Sequence, residues 1–433
     1  MGAEHSSLAV IGGGWAGLAA AVRATEAGHQ VTLLEMAQQW GGRARSVDVE
    51  GLALDNGQHI LIGAYARTLA LMATVAPAGV DAARGLHRQP LELRYPDSRG
   101  LRMPAGPAWL VFVAAVVTCV GWSWRDRLAL LQASAGWAVR GFNCGPGITV
   151  AALCQSLPPA VRQLLIDPLC VAALNTPAQD ASAAVFLRVL RDALFSGRGS
   201  ADLLLPRQPL GALLPQPAAA WLQSHGAALR LGVRVETLAR SGKGWLVDGA
   251  AFDNVLLACS ATEAARLAQP HAPAWSATAR AIGYEPIVTV YLRCAGACLP
   301  CPMTALLEAP DAPAQFAFDH GALGATPGVF AFVISGARAW VEKGLDATGQ
   351  AVLRQALQAF APGTWPTPPT LLRVLAEKRA TFRCTPGLQR PAAALVPGLV
   401  AAGDYIAGPY PATLEGAVRS AEGALRLLVR AAS

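Results

Sequence analysis

The chain has 433 residues, 53% of them hydrophobic and only 15% charged, against about 25% charged in ordinary soluble domains. Such a composition excludes an intrinsically disordered protein and points to a large core or to a surface that meets lipid; the length suggests two or three domains, or one large discontinuous one. The formal net charge is +7, carried almost wholly by arginines scattered without a run, which disfavours nucleic acid as a partner.

The N-terminus has no basic n-region and its first apolar run is broken by glycines, so it is not read as a secretory signal. Met1-Gly2-Ala3-Glu4-His5-Ser6 formally fits a myristoylation pattern, for which chance is the better explanation. Leu8-Ala9-Val10-Ile11 reads as a buried parallel strand. Gly12-Gly13-Gly14-Trp15-Ala16-Gly17 follows as G-x-G-x-x-G, then an alanine-rich helix from Leu18 to Ala27, a second strand Val31–Leu34, and Glu35. In this order the parts have a mechanical sense. The glycine loop and the helix N-terminus, with its free N–H groups, accept a pyrophosphate, and a carboxylate after the second strand accepts hydrogen bonds from a ribose diol.

Trp40-Gly41-Gly42-Arg43-Ala44-Arg45 contains a Gly-Gly-x-Arg segment that a simple nicotinamide domain does not need. Leu54-Asp55-Asn56-Gly57-Gln58-His59 is a polar turn between apolar stretches. Met103 to Trp124 carries no charge, but Pro104, Gly106 and Pro107 disturb its start. The continuous apolar part, Trp109 to Val120, is short of the roughly 20 residues of a membrane span. Trp109, Trp122 and Trp124 sit where an interfacial belt would place them, which favours a monotopic element dipping into one leaflet over a buried core helix or a true span.

Asp180 to Leu194 has helical apolar spacing. Val233 and Val235 suggest a short strand, Gly242-Lys243-Gly244 a hairpin turn, and Val255–Ala258 a buried strand. Ile287–Leu292 and Gly328–Ile334 also read as strands. The nine cysteines include Cys294, Cys298 and Cys301, spaced C-x3-C-x2-C with no fourth ligand nearby; they are read as small buried hydrophobes in a reducing compartment, and no metal site is expected. Gly398 to Asp404 is a strand ending in Gly403-Asp404, where the acid suits the ribityl or phosphate part of FAD. Pro411-Ala412-Thr413-Leu414 opens a last helix whose N-terminus suits the electron-rich edge of a reduced flavin. The expected cofactor is therefore FAD, bound by both ends of the chain through Gly12, Gly14, Trp15, Ala16, Gly17, Glu35, Gly42, Arg43, Gly57, Gly403, Asp404, Thr413 and Leu414.

Together these segments resemble the amine oxidase and phytoene desaturase flavoprotein superfamily. The resemblance is closer to its hydroxysqualene dehydroxylase branch. It is carried by Leu54–Leu61, Pro168–Thr176, Asp202–Arg207, Glu377–Phe382 and Tyr410–Val418, which span nearly the whole chain. Pro409 and Ala421 depart from it, each standing where a glycine is usual. The resemblance implies an α/β (α+β) protein: a Rossmann-type FAD domain from residues 1–85, 202–265 and 385–433, and a mixed sheet-and-helix substrate domain from 86–201 and 266–384, with 103–124 as membrane-contact element. It puts the backbone near Val235 at the adenine side of FAD. It implies reductive removal of the hydroxyl of hydroxysqualene, giving squalene, with hydride from flavin N5.

That chemistry needs a general acid, because hydroxide leaves poorly. His59 is the first candidate, with a structural hydrogen bond as its alternative; Asp55 either orients it or caps a turn. Lys378 and Arg379 face the flavin or form an ion pair, and Glu415 suits a helix start. The partners implied are a hydrophobic isoprenoid, an unidentified electron donor and the surface of the cytoplasmic membrane, on which the protein would sit peripherally. The alternatives are a carotenoid or polyprenoid desaturase, an amine oxidase using Tyr405 or Tyr410, and a non-catalytic prenyl-lipid carrier.

Overall fold

The computed structural model describes residues 6–432; Met1 to His5 of the myristoylation-like pattern lie outside the described residues. A six-stranded sheet runs in the order Ala228–Leu231, Gln30–Glu35, Ser7–Ile11, Asn254–Leu257, Leu399–Ala401, Ala394–Val396. The strands are parallel except the last, which is antiparallel to its neighbour. Register sets Val10 between Leu33 and Leu256, all fully buried. These strands are continuous apolar runs because both faces of the sheet are covered. On one face the helix Trp15–Glu26 packs against the final helix Leu414–Ala432. Its alanines 19, 20, 21 and 24 are fully buried, and their small size lets helix and strand approach closely. On the other face lies the antiparallel meander Leu238–Ser241, Gly244–Val247, Ala250–Phe252, turned at Gly242-Lys243 as its sequence suggests.

A second, antiparallel sheet has the order Met303–Ala305, Phe316–Asp319, Val329–Ile334, Tyr284–Arg293, Thr370–Phe382. Its side chains alternate between faces. Val288, Val290, Phe330 and Phe332 pack with the helix Leu345–Ala359, while Ile287, Phe316, Phe318 and Val333 turn to a large cavity. Helices Ala108–Thr118, Trp124–Val139, Asp167–Leu174 and Ala183–Phe195 complete the apolar part. Ser182, inside the expected helix 180–194, is the N-cap of the last one.

Three expectations are corrected. Val233 and Val235 form no strand: the Val233 N–H donates to the Glu35 carbonyl and the Val235 carbonyl accepts from Arg266, so neither group pairs in a ladder. Residues 103–124 are not one element. The first helix ends at Thr118, Gly121 turns the chain at φ +93°, and Ser123 and Asp126 cap a new helix from Trp124. Trp122 is thereby folded inward at 5% exposure, whereas Trp109 and Trp124 stay 54% and 70% exposed. Among the described residues no helix is long and apolar enough to cross a membrane. Finally, Cys294 and Cys301 are buried, but Cys298 is exposed.

Candidate functional site

The glycine loop is shaped by close approach. A Cβ on Gly17 would lie 1.8 Å from the Gly12 carbonyl oxygen, and Gly12 itself has φ +112°. These two glycines hold strand, loop and helix together. At Gly14 the situation is reversed. A Cβ there would meet only Gly42 Cα, at 3.8 Å, so the position is bare toward the cavity. Gly14 caps the helix with no side-chain bond, and the first turn holds no acid, which leaves its N–H groups for an anion. Glu35 accepts from Gly13 N at 2.6 Å and Ala37 N at 2.8 Å, and so fixes the loop while facing the same cavity.

That cavity has a volume of about 670 Å³. Gly12, Gly14, Trp15, Ala16 and Glu35 line it, together with Val235, whose carbonyl is held by Arg266. Gly42, Arg43, Gly57 and His59 line it too, and Gly403, Asp404, Thr413 and Leu414 come from the C-terminal segment. Gly17 and Asp55 do not reach it; Gly17 acts through packing. Arg43 donates to Asp404 Oδ1 at 2.5 Å and to the Ala380 and Arg379 carbonyls at 2.9 and 3.2 Å, tying three distant segments together. Arg379 lines the cavity, whereas Lys378 is exposed and does not.

The fit of the residues to a large dinucleotide rests on their polar atoms. Arg45 Nε, Gln58 Oε1 and the fully enclosed Tyr405 hydroxyl all belong to cavity-lining residues, and all are buried without a partner in the protein. Most buried polar groups in proteins have a partner. A ligand with both donors and acceptors, such as FAD, suits this set. The local sequence signal for Tyr405 was its place directly after Gly403-Asp404. Asn56, which donates to Glu377 Oε2 at 2.9 Å and also lines the cavity, lay within the polar turn Leu54–His59 but had no role of its own in the sequence reading.

The final helix begins at a strained turn. Tyr410 and Ala412 have φ +60° and +57°, rare for side-chain-bearing residues. Thr413 Oγ1 donates to the Tyr410 carbonyl and accepts from Gly416 N, capping the helix. Glu415 is fully buried and accepts from Arg67 N, Thr68 N, Thr68 Oγ1 and Arg419, so it also caps the neighbouring helix Ala66–Val75.

For His59 and Asp55 the structure shows the alternatives to a catalytic pair: a structural hydrogen bond and a cap. His59 Nδ1 lies 2.8 Å from the Gly57 carbonyl and donates to it, leaving Nε2 free of that bond. Burial, aided by the Arg43 charge and opposed by the Gly57 bond, moves its pKa below the usual histidine value. The ring is therefore neutral at neutral pH rather than a ready acid. Asp55 does not orient it: its Oδ1 accepts from Ser46 Oγ at 2.8 Å and Leu210 N at 2.9 Å. Burial raises its pKa to about 6, against the opposing effect of those two bonds.

A second cavity, of about 380 Å³, adjoins the first. Ile60, Tyr65, Ala172, Ala173, Phe316 and Thr413 line both. The walls of the second are almost entirely apolar, among them Leu91, Leu130, Leu165 and Phe195, and Trp109, Phe112 and Val113 also line it. These residues come from separate segments, and only the uncharged stretch 103–124 signalled any of them.

Residues 15–426 match the family described as flavin containing amine oxidoreductase. The chain is 30% identical to a hydroxysqualene dehydroxylase of Rhodopseudomonas palustris, covering 98% of each protein. It is 27% identical to a hydroxysqualene dehydroxylase of Sinorhizobium fredii, covering 95% of each. Among solved structures it resembles an oxidoreductase from Methanosarcina mazei, at a TM-score of 0.72 and 15% identity, covering 97% of this chain and 100% of that one. The chain belongs to the flavin-containing amine oxidoreductase family. It is an FAD-dependent oxidoreductase with the mixed α/β architecture of that family.

Proposed function

We propose that this member of the family reductively removes the allylic hydroxyl of hydroxysqualene to give squalene. The observation that carries the reading is the apolar cavity of about 380 Å³ adjoining the cofactor cavity through a shared wall. A hydrocarbon substrate gains about 0.8 kcal/mol per CH₂ buried in such a space. The end-to-end match to two relatives named for this activity supports it.

When bound, reduced FAD supplies the hydride that takes the place of the hydroxyl. The chain does the rest. The loop from Gly12 to Gly17 and the bare helix end receive the diphosphate, and Arg43, held by Asp404, joins the two sides of the cavity. The walls at Ala172, Ala173 and Phe316 keep out water that would recapture an allylic cation. Hydroxide leaves only with a proton. Burial keeps His59 neutral, and with Nδ1–H on the Gly57 carbonyl its Nε2 can accept but not donate. A separate electron donor completes the cycle.

We further place the enzyme peripherally on the cytoplasmic membrane, with the helix Ala108–Thr118 in one leaflet. Leu110, Val113, Val117, Val120 and Leu128 are exposed beside Trp109 and Trp124. Trp109 and Val113 also line the apolar cavity, so the lipid-facing ridge is its mouth. The neighbouring exposed Arg125 suits anionic headgroups.

Incubation of the purified protein with chemically reduced FAD and hydroxysqualene tests the reaction. Squalene is the expected product. Its absence, with product appearing instead from phytoene or an amine, overturns the reading.

A further inference from the structure

Asp192 is the one charged side chain among the residues that line the apolar cavity. It is 7% exposed, on the helix Ala183–Phe195. Arg188 Nε donates to its Oδ2 at 2.8 Å and Arg191 Nε lies 3.5 Å from its Oδ1. Tyr410 lines the same cavity, where burial and then the nearby Asp192 carboxylate raise the pKa of its hydroxyl. The Tyr410 ring is packed by the Arg419 guanidinium, 4.7 Å from its centre, and by the Tyr65 ring, nearly perpendicular to it with centres 6.3 Å apart. Its backbone is held at φ +60°, in the turn that leads to the cofactor cavity.

A purely apolar wall favours the hydrocarbon over its alcohol, because burying an unpaired hydroxyl is costly. An enzyme that turns such an alcohol into such a hydrocarbon needs the opposite preference, or its product blocks it. A hydroxyl offers one donor and two acceptor sites; the Asp192 carboxylate can accept, and the Tyr410 hydroxyl can donate. We propose that Asp192 and Tyr410 form the hydroxyl-recognition pair of the substrate cavity, selecting the polyisoprenoid alcohol and releasing the hydrocarbon. The proposal rests on the dehydroxylase reading above. A site built to bond a hydroxyl discriminates strongly against the analogue that lacks it, since its own buried groups are then left unpaired.

The test uses the FAD-loaded enzyme, Tyr410→Phe and Asp192→Asn. Dissociation constants for hydroxysqualene and for squalene are measured in the same detergent by the change in flavin fluorescence, alongside kcat and KM. Wild type is expected to bind the alcohol more tightly than squalene. Each variant is expected to weaken alcohol binding about tenfold or more while squalene binding stays unchanged. Tyr410→Phe keeps the ring and its packing, so it guards against misfolding of the Asp192 variant. Unchanged preference in both variants overturns the proposal, as does equal weakening for both ligands, which marks a structural ion pair. A wild type that prefers the alcohol but never converts it keeps the recognition pair and sinks the dehydroxylase reading instead.

Discussion

Arg43 and Asp404 meet at 2.5 Å although 361 residues separate them in the chain. Their bond closes the cofactor cavity between the N-terminal loop region and the C-terminal strand. Asp404 is 9% exposed, so removing its partner leaves a buried carboxylate without its hydrogen-bonded cation. We expect Arg43→Ala to fold but to hold FAD at least about tenfold more weakly, from about 1.5–3 kcal/mol of charged hydrogen bonding. Flavin absorbance retained after gel filtration reads this directly; retention equal to wild type removes the clasp from the binding role.

Asp55 carries a pH-dependent penalty. Its folded pKa of about 6 lies above the ordinary 3.8. The folded state therefore binds the extra proton, and stability contributed by that proton is present at low pH and lost as pH rises from about 4 through about 6. Asn can accept from Ser46 and Leu210 in the same way without the charge. Asp55→Asn should thus raise the melting temperature at pH 8, by a free energy of up to about 3 kcal/mol. The difference should vanish near pH 4. A variant less stable at pH 8 contradicts this account.

His59 has the opposite sign. Its lowered folded pKa means that the unfolded chain binds the proton more readily, so protonation below the ordinary histidine pKa of 6.5 works against the folded state. Above that value the ring is neutral. We expect His59→Ala to keep its FAD, and the wild-type kcat to show no limb between pH 6.5 and 8 that the variant lacks. Such a limb, if it appeared only in wild type, would restore His59 as the acid.

The exposed ridge makes a physical prediction of its own. Trp109 and Val113 are 54% and 41% exposed, so polar replacements there leave the core intact. Side chains of this kind contribute about 1.5–3 kcal/mol each on leaving water. The pair Trp109→Asp and Val113→Asp should weaken partition into anionic vesicles about a hundredfold or more without changing the melting temperature. Undiminished flotation with the vesicles points to another contact surface.

How much of this was legible in the chain depended on distance along it. The nucleotide loop was, because strand, glycines, helix, strand and acid are contiguous and each obeys a local rule. Gly403, Asp404 and Thr413 were legible for the same reason. The Arg43 partner was not, since no local pattern joins positions so far apart. Val233 and Val235 misled because β-branched residues favour strands, while their backbone groups were claimed by Glu35 and Arg266. Trp122 misled because a linear stretch cannot show the turn at Gly121. Asp55 and His59 were seen as a pair because they are near in sequence, but their hydrogen bonds lead to Ser46 and Leu210 and to Gly57 respectively. Of the apolar cavity, assembled from many separated segments, the uncharged stretch brought only Trp109, Phe112 and Val113 into view.

Trp109 and Val113 serve at once as outer ridge and as inner wall. On the membrane placement proposed above, encounter with substrate is a two-dimensional event. What sets the rate is the mole fraction of substrate among the lipids, not its amount per volume of assay. Adding inert lipid at constant substrate then slows turnover, and adding water does not.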